Sequence, residues 1–451
     1  MAKEEMNKRE TFSNRMAFVL ASIGGAVGLG NVWKFPYITG QHGGAAFIVV
    51  YLIALLVIAS PVLMTEFGIG RLTGTSYTSA LKKLFPGKSW YLVGILGVIA
   101  LILTLGFYAG IAGWTIAYIF KSVTGSYAGH SAAEIGQAFG SFISSPFQVI
   151  FWLLVMIAIT AFIVSRGLAG GIEKICNILL PALFLLIIIL AIRAVTLPGA
   201  AKGLEFYLKP NFSSLTKEAI MAAIGQAFFS LGVGTGNLVI YGSYLKKDKT
   251  IGSSTIMVAL GDTLAAILFG FIVFPAVFAY NIDSTIGPPL VFITLPTIFA
   301  QMKFGMFFAT IFFVLLFFAC LTSTICIMEA IVGYFTDEIK MSRKKSTVLT
   351  TAIVTICGIV MMLSFGVLGD ILIFGKIIFD FANDILVSTV LLPLGGILVL
   401  VIAGWVMNTK ELIDEINTGE GYKIGKGFEI VIKFIAPIAV LLMFLQSIGL
   451  F

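Results

Sequence analysis

Charged residues are scarce in this sequence. Only 11% of its 451 residues are Asp, Glu, Lys or Arg, whereas 59% are hydrophobic, and the mean hydropathy is +1.05. Soluble globular domains carry a charged fraction of about 25%, because charge keeps their surfaces in solution. The composition therefore excludes a soluble domain and indicates a protein that lies within a lipid bilayer.

Histidine and cysteine are also rare. The chain has two histidines, His42 and His130, and four cysteines without the spacing of metal ligands. The sequence contains no histidine cluster, no paired aspartate motif and no reactive-serine motif, which are the groups that an intramembrane enzyme would need. We therefore predict that the protein is not an enzyme and has no organic cofactor.

Long apolar runs fill most of the chain. Because a membrane-spanning helix needs about 20 apolar residues, the sequence predicts an all-α membrane protein with about eleven transmembrane helices. Their approximate limits are 14–38, 44–70, 90–121, 146–165, 172–193, 217–244, 251–280, 304–335, 346–366, 377–406 and 427–449.

Lysine and arginine are concentrated in alternate loops. The net charge of +7 therefore indicates membrane topology rather than a nucleic-acid partner. The positive-inside rule predicts a membrane protein with its N-terminus in the cytoplasm and its C-terminus outside. We expect no cleaved signal peptide. The predicted segments are a cytoplasmic tail (1–13), a first five-helix repeat (14–193), an extracellular loop (194–216), a second five-helix repeat (217–406), a cytoplasmic loop (407–426) and an eleventh helix (427–451).

Two glycine clusters interrupt apolar spans at corresponding positions of the predicted repeats. One lies in residues 22–36 and the other in residues 231–236. Glycine costs a helix interior about 1 kcal/mol relative to alanine, so each cluster predicts a broken helix. A break at membrane depth persists where it lines a polar cavity or a ligand, and such pairs mark transporter binding sites. The alternative is a packing seam, because Gly24 and Gly28 also match G-x-x-x-G.

Five polar residues lie within otherwise apolar spans. Sodium prefers oxygen ligands such as amides, hydroxyls, carboxylates and the carbonyls of an unwound helix. A carboxylate in mid-span is functional by default, whereas a lone Ser or Thr more often bonds the carbonyl four residues before it. The N–H groups freed at the first break suit an anionic group. The five residues are Asn31, Ser230, Asp262, Thr322 and Ser323.

Five motifs then identify a family. They are GNVWKFPY at 30–37, GGAAF at 43–47, IGQAFFSL at 224–231, FITLP at 292–296 and FFACLTS at 317–323. With these motifs in this order, the chain resembles the neurotransmitter:sodium symporter family, which includes the bacterial leucine transporter. The resemblance implies the leucine-transporter fold, an inverted five-helix repeat whose first and sixth helices are broken. It also implies sodium:amino-acid symport by alternating access.

The resemblance implies two sodium sites and one substrate site. The first sodium site would be formed by Ala26, Asn31, Ser230 and Asp262. The second would be formed by Gly24, Val27, Ala319, Thr322 and Ser323. The amino-acid site would be formed by Ala26, Gly28, Gly30, Thr104, Tyr108, Phe229, Gly232, Thr235, Thr324 and Ile327.

Gates on the two sides of the site also follow from the resemblance. Lys34 occupies the usual arginine position of the outer gate, with Asp380 as its predicted partner and Asp384 as the fallback. Lysine makes no planar bidentate contact, so this gate should be looser. Arg9 and Asp337 would form the cytoplasmic gate.

Two departures from the family pattern predict ion and substrate preference. Asp262 stands where asparagine or serine is common, close to the matches for a chloride site at Tyr51 and Gln226, so we expect transport without chloride. Gly232 and Thr235 are small, which favours hydrophobic or aromatic L-amino acids such as tyrosine or tryptophan. The alternatives are a proton-coupled amino-acid transporter or an amino-acid sensor on the same fold. We expect a monomer or weak dimer in the lipid bilayer.

Overall fold

The computed structural model describes residues 9–280 and 289–450. Residues 1–8 of the predicted tail, residues 281–288 and the last residue of the predicted eleventh helix lie outside the described residues. The described chain is almost entirely helical, and its one hairpin pairs β1 (Leu372–Ile373) with β2 (Lys376–Ile377) in antiparallel register. The all-α prediction is confirmed.

Within the described ranges, eighteen helices follow in chain order, besides a short 3-10 helix at Phe212–Ser214. The first nine are α1 (Arg15–Ala26), α2 (Gly30–Gln41), α3 (Ala45–Thr73), α4 (Tyr77–Leu84), α5 (Tyr91–Val123), α6 (Ala132–Ser144), α7 (Pro146–Ser165), α8 (Leu168–Val195) and α9 (Ala200–Leu208). The others are α10 (Lys217–Leu231), α11 (Asn237–Gly242), α12 (Ile251–Ala279), α13 (Leu290–Gln301), α14 (Gly305–Asp337), α15 (Arg343–Leu363), α16 (Ile378–Val406), α17 (Thr409–Ile416) and α18 (Gly427–Ser447).

The first glycine cluster breaks a helix, as predicted. Helix α1 ends at Ala26, Val27 is extended with ψ 113°, and α2 begins at Gly30. The axes of α1 and α2 differ in direction by 58°. The chain therefore changes direction in the middle of its first apolar segment.

The second cluster breaks another helix between α10 and α11. Gly232, Gly234 and Gly236 have φ values of +63°, +100° and +71°. Side chains with a Cβ rarely adopt this left-handed region, whereas glycine does so without steric cost. Both clusters are thus breaks and not only packing seams.

Nine helices among the described residues are long and apolar enough to cross a membrane, or ten if the bent pair α1 and α2 counts as one span. The predicted eleventh span would require α10 and α11, with 15 and 6 residues, to act as one interrupted helix. The two longest helices, α5 and α14, have 33 residues each and pack against each other through the centre of the molecule. They form the wall that the two breaks face.

Candidate functional site

A cavity of about 100 Å³ lies between the two helix breaks. Residues from both breaks line it, together with side chains of α5, α14 and α16. Nine of the ten predicted substrate-site residues are among the lining residues: Ala26, Gly28, Gly30, Thr104, Tyr108, Phe229, Gly232, Thr235 and Ile327. The structure therefore brings these nine residues together at one cavity.

Thr324 is the predicted substrate-site residue that the structure places elsewhere. Its hydroxyl lies 2.9 Å from that of Thr160 on α7, and it is fully buried there. Its helix neighbours Ser323 and Ile327 line the cavity, whereas Thr324 does not. The structure thus brings Thr324 to α7 and not to the cavity wall.

Apart from Gly25 and Leu29 of the first break and the predicted sodium-site residues Ser230 and Ser323, five further lining residues were not predicted. Four are apolar and lie on α5 and α16, and their sequence context did not distinguish them from other core residues. The fifth, Asn237, is a polar residue directly after the second break in an apolar span, and that position was a usable signal. The five are Leu101, Phe107, Asn237, Val387 and Leu392.

Side chains bind two of the N–H groups exposed at the first break. The Leu29 N–H donates to the Tyr108 hydroxyl at 3.1 Å, and the Gly28 N–H donates to Asn31 Oδ1 at 3.1 Å. Tyr108 thus joins α5 to the break at the edge of the cavity. The break presents a polar wall in an otherwise apolar interior.

Three of the four residues predicted for the first sodium site form one buried cluster. Asn31 Nδ2 donates to Asp262 Oδ1 at 2.8 Å, and the Ser230 hydroxyl donates to Asp262 Oδ2 at 2.5 Å. These three side chains are each no more than 1% exposed. Ala26, the fourth, ends α1 at the adjoining cavity wall. Most of the atoms in this cluster that could bind a metal ion are oxygens, which fits a hard cation such as sodium.

All five residues predicted for the second sodium site converge at a second position. The Ser323 hydroxyl lies 3.2 Å from Gly24 O, 3.1 Å from Val27 O and 3.1 Å from Ala319 O. The Thr322 hydroxyl lies 3.1 Å from Ala319 O. Ser323 therefore bonds the carbonyl four residues before it and also reaches across to α1. Among the described residues, no group of three or more His, Cys, Asp or Glu side chains could hold a metal ion.

Glu66 of α3 binds the second break. Its carboxylate accepts hydrogen bonds from the N–H groups of Gly234 at 2.7 Å, Gly236 at 3.3 Å and Leu238 at 3.3 Å. A carboxylate satisfies backbone donors that an unwound segment leaves without helical partners. Glu66 therefore stabilises the break that forms one wall of the cavity.

The side of the molecule where α1 begins, here called the Arg9 side, is closed by an ion pair. Arg9 Nη1 lies 2.7 Å and 2.8 Å from the two carboxylate oxygens of Asp337. Arg9 Nη2 also donates to Ser243 Oγ at 2.7 Å, and the guanidinium lies 4.8 Å from the centre of the Tyr244 ring. Burial acts to lower the pKa of Arg9, but Tyr244 and Asp337 outweigh it and raise the pKa above its usual value. The predicted Arg9–Asp337 contact is present.

The opposite side, here called the Lys34 side, has no such ion pair. Lys34 Nζ lies 3.7 Å from the centre of the Phe229 ring, and no ion pair joins Lys34 to an acid in the described part of the chain. Asp380 and Asp384 line the same cavity of about 430 Å³ as Lys34, and Asp384 lies 3.3 Å from Lys376. The predicted Lys34–Asp380 pair is therefore not formed in this structure, although both residues face one space.

Comparison with known protein families identifies the family of this chain. The profile of the Sodium:neurotransmitter symporter family matches residues 9–133 and 127–451. The chain belongs to this family.

Two relatives match this chain over nearly its whole length. An uncharacterized sodium-dependent transporter of Bacillus subtilis, YhdH, is 39% identical over 443 residues, covering 97% of this chain and 98% of its own length. The sodium-dependent serotonin transporter of Drosophila melanogaster is 28% identical over 494 residues, covering 98% of this chain and 76% of its own.

A solved structure shares the fold. The crystal structure of MhsT in complex with L-phenylalanine has a TM-score of 0.89 and 41% identity, and the match covers 98% of this chain and all of that one. The present protein is thus a sodium-dependent membrane transporter with the leucine-transporter fold, and not an enzyme. The resemblance inferred from the motifs is confirmed.

Proposed function

We propose that this symporter carries hydrophobic or aromatic L-amino acids together with sodium by alternating access. The observation that supports this is the cavity between two broken helices, with a buried oxygen cluster beside each end of the first break. The similarity to MhsT, whose crystal structure holds L-phenylalanine, favours an amino acid as the solute.

The substrate carboxylate would lie against the first break. The N–H groups between Ala26 and Gly30 and the hydroxyl of Tyr108 border the cavity there, and a carboxylate would replace Asn31 Oδ1 and the Tyr108 oxygen as the acceptor of these N–H groups. The amino group would meet carbonyls of the two breaks, and the side chain would extend between α5 and α14. Phe229, which borders the cavity on the Lys34 side, would act as the lid.

Two sodium ions would stabilise this arrangement. The first would replace the hydrogen bonds among Asn31, Ser230 and Asp262 with ion contacts and would also touch the substrate carboxylate. The second would join Gly24 and Val27 of the first break to Ser323 of α14. Each ion thus links elements that must separate when the site opens.

Asp262 would make transport independent of chloride. Its fully buried carboxylate would place a negative charge beside the first sodium position. This is the charge that a bound chloride ion would otherwise supply. Tyr51 and Gln226, the matches for a chloride site, are also buried. A second negative charge in this space would be repelled by the first.

The two gates define the order of steps in the proposed transport cycle. We place the Arg9 side in the cytoplasm and the Lys34 side outside, in the inner membrane of a bacterium. Substrate binding would bring Phe229 over the site and Lys34 to Asp380, and separation of Arg9 from Asp337 would then open the inner side. Loss of the second sodium ion into the cytoplasm would release the substrate.

Uptake of labelled amino acids into proteoliposomes tests this proposal. We expect accumulation of tyrosine, tryptophan or phenylalanine with an inward sodium gradient, and none when potassium replaces sodium. Uptake should be unchanged when gluconate replaces chloride. Accumulation driven by a proton gradient without sodium would contradict sodium symport, and a several-fold loss in gluconate would contradict the role of Asp262.

A further inference from the structure

Asn237 is a buried polar residue at the wall of the substrate cavity. It is the first residue of α11, directly after the second break, and it is one of the lining residues of the cavity, although only 5% of the residue is exposed. It is the single carboxamide among the lining residues. Neither the sodium clusters nor the gates use it.

One hydrogen-bonding atom of Asn237 has no partner. The backbone N–H donates to the Thr235 hydroxyl at 3.3 Å, and Nδ2 donates to Cys326 Sγ at 3.4 Å. Within the described ranges, Oδ1 accepts no hydrogen bond. An unpaired buried acceptor destabilises the site that contains it, so the cavity favours an occupant that donates a hydrogen bond to this oxygen.

The other polar groups of the cavity already have partners. The Thr104 hydroxyl donates to Ala100 O at 2.7 Å, the Ser323 hydroxyl bonds carbonyls, and Tyr108 accepts from Leu29. Tyr108 and Ser323 lie against the first break, where the proposed function places the charged groups of the substrate. Asn237 lies at the second break, beyond those groups.

The second break leaves room for a large side chain. A Cβ atom built on Gly232 would have no neighbour within 4 Å, and Thr235, which borders the same space, has a short side chain. An aromatic ring that enters between α5 and α14 would therefore bring its far edge towards α11. The apolar walls at Leu101 and Phe107 suit such a ring.

We infer that Asn237 is a specificity-determining residue, whose Oδ1 accepts a hydrogen bond from a donor on the far edge of an aromatic substrate. The phenol O–H of tyrosine and the indole N–H of tryptophan are the two natural donors of this kind. This inference rests on the proposed function and narrows its substrate class. Phenylalanine and leucine fill similar space but leave the acceptor unpaired, and sites built for such a donor discriminate strongly against the analogue that lacks it.

Binding of matched substrate pairs to the full-length protein in sodium tests the inference. Tyrosine and phenylalanine differ by one hydroxyl, and tryptophan and naphthylalanine differ chiefly by the indole N–H. For the unmodified protein we expect tyrosine and tryptophan each to bind at least about fivefold more tightly than the partner without a donor, since an unpaired buried acceptor costs at least that factor.

Asn237→Leu and Asn237→Ala both remove the acceptor oxygen Oδ1. The leucine also keeps the volume of the side chain nearly unchanged. Both variants should bind tyrosine and phenylalanine with similar affinity, and a Tm in detergent close to that of the unmodified protein shows that each variant is folded. Cys326→Ser keeps an acceptor for Nδ2 and should retain the tyrosine preference.

Three results would overturn the inference. Equal binding of tyrosine and phenylalanine by the unmodified protein, or a preference that persists in both Asn237 variants, would remove Asn237 from substrate selection while leaving the proposed function intact. If no aromatic amino acid binds in sodium, the proposed function fails and the inference fails with it.

Discussion

Two buried carboxylates at the site have different kinds of partner. Glu66 accepts from three backbone N–H groups of the second break, whereas Asp262 accepts from the side chains of Asn31 and Ser230. Side chains can rotate to exchange a hydrogen bond for an ion contact, but backbone donors stay where the chain holds them. Glu66 therefore suits a structural role, and Asp262 suits an exchangeable one.

Glu66→Gln tests the structural role. A glutamine keeps one acceptor oxygen but turns its NH₂ group towards backbone donors, so we expect a loss of about 1–3 kcal/mol and a lower Tm in detergent. Glu429→Gln is the matched control, because Glu429 forms a half-exposed pair with Lys433 and such pairs contribute less than about 1 kcal/mol. Equal Tm values for the two variants would contradict the prediction.

At the scale of elements, the segment before α1 is attached to the first turn of α8. The Leu168 N–H donates to Glu10 at 2.6 Å, the Ser13 N–H donates to Glu173 at 3.0 Å, and the Ser13 hydroxyl also bonds Glu173. Residues Leu168–Glu173 form a π-helical turn that contains Gly171. The chain that carries Arg9 is thus held by α8 as well as by the ion pair with Asp337.

Glu173→Gln should weaken this attachment. Glutamine is a poorer acceptor than a carboxylate for the Ser13 N–H and hydroxyl, so the Arg9 side should open more often and the second sodium ion should leave more readily. We expect the sodium concentration for half-maximal substrate binding to rise several-fold. Glu411→Gln, at an exposed residue of α17, is the control, and an unchanged sodium requirement in both variants would count against the coupling.

The whole molecule is asymmetric about its central cavity. On the Arg9 side, an ion pair in which one guanidinium nitrogen contacts both carboxylate oxygens of Asp337, together with a buried Phe12, closes the interior. On the Lys34 side, a cavity of about 430 Å³ reaches Phe229, and Lys34 contacts that ring instead of an acid. One face of the transporter is therefore held shut while the other leaves the lid uncovered.

Lys34→Arg should favour closure of the Lys34 side. A guanidinium forms planar, bidentate contacts with a carboxylate, which an ammonium does not, so the variant should stabilise the closed Lys34 side through Asp380. We expect labelled substrate to dissociate several-fold more slowly in sodium. Lys209→Arg, which keeps an exposed pair with Glu205, is the control. Faster dissociation from Lys34→Arg would contradict a gate role for residue 34.

The sequence alone determined the helical membrane fold and the positions of both helix breaks. Hydrophobic length and glycine preference act locally along the chain, so α1, α2, α10 and α11 could be predicted without knowledge of their neighbours. The family motifs supplied the ion and substrate positions, and the structure brings nearly all of them together.

Only the tertiary structure decided which side chains face the cavity. In a helix that is apolar on every side, periodicity does not reveal the inner face; the resemblance implied Thr324 for the pocket, whereas its hydroxyl contacts that of Thr160. Asn237 was missed, and its side-chain partner Cys326 is distant in sequence. The partner of Lys34 likewise depends on how α2 and α16 approach each other. Burial and pairing are properties of packed neighbours, and only the folded chain defines them.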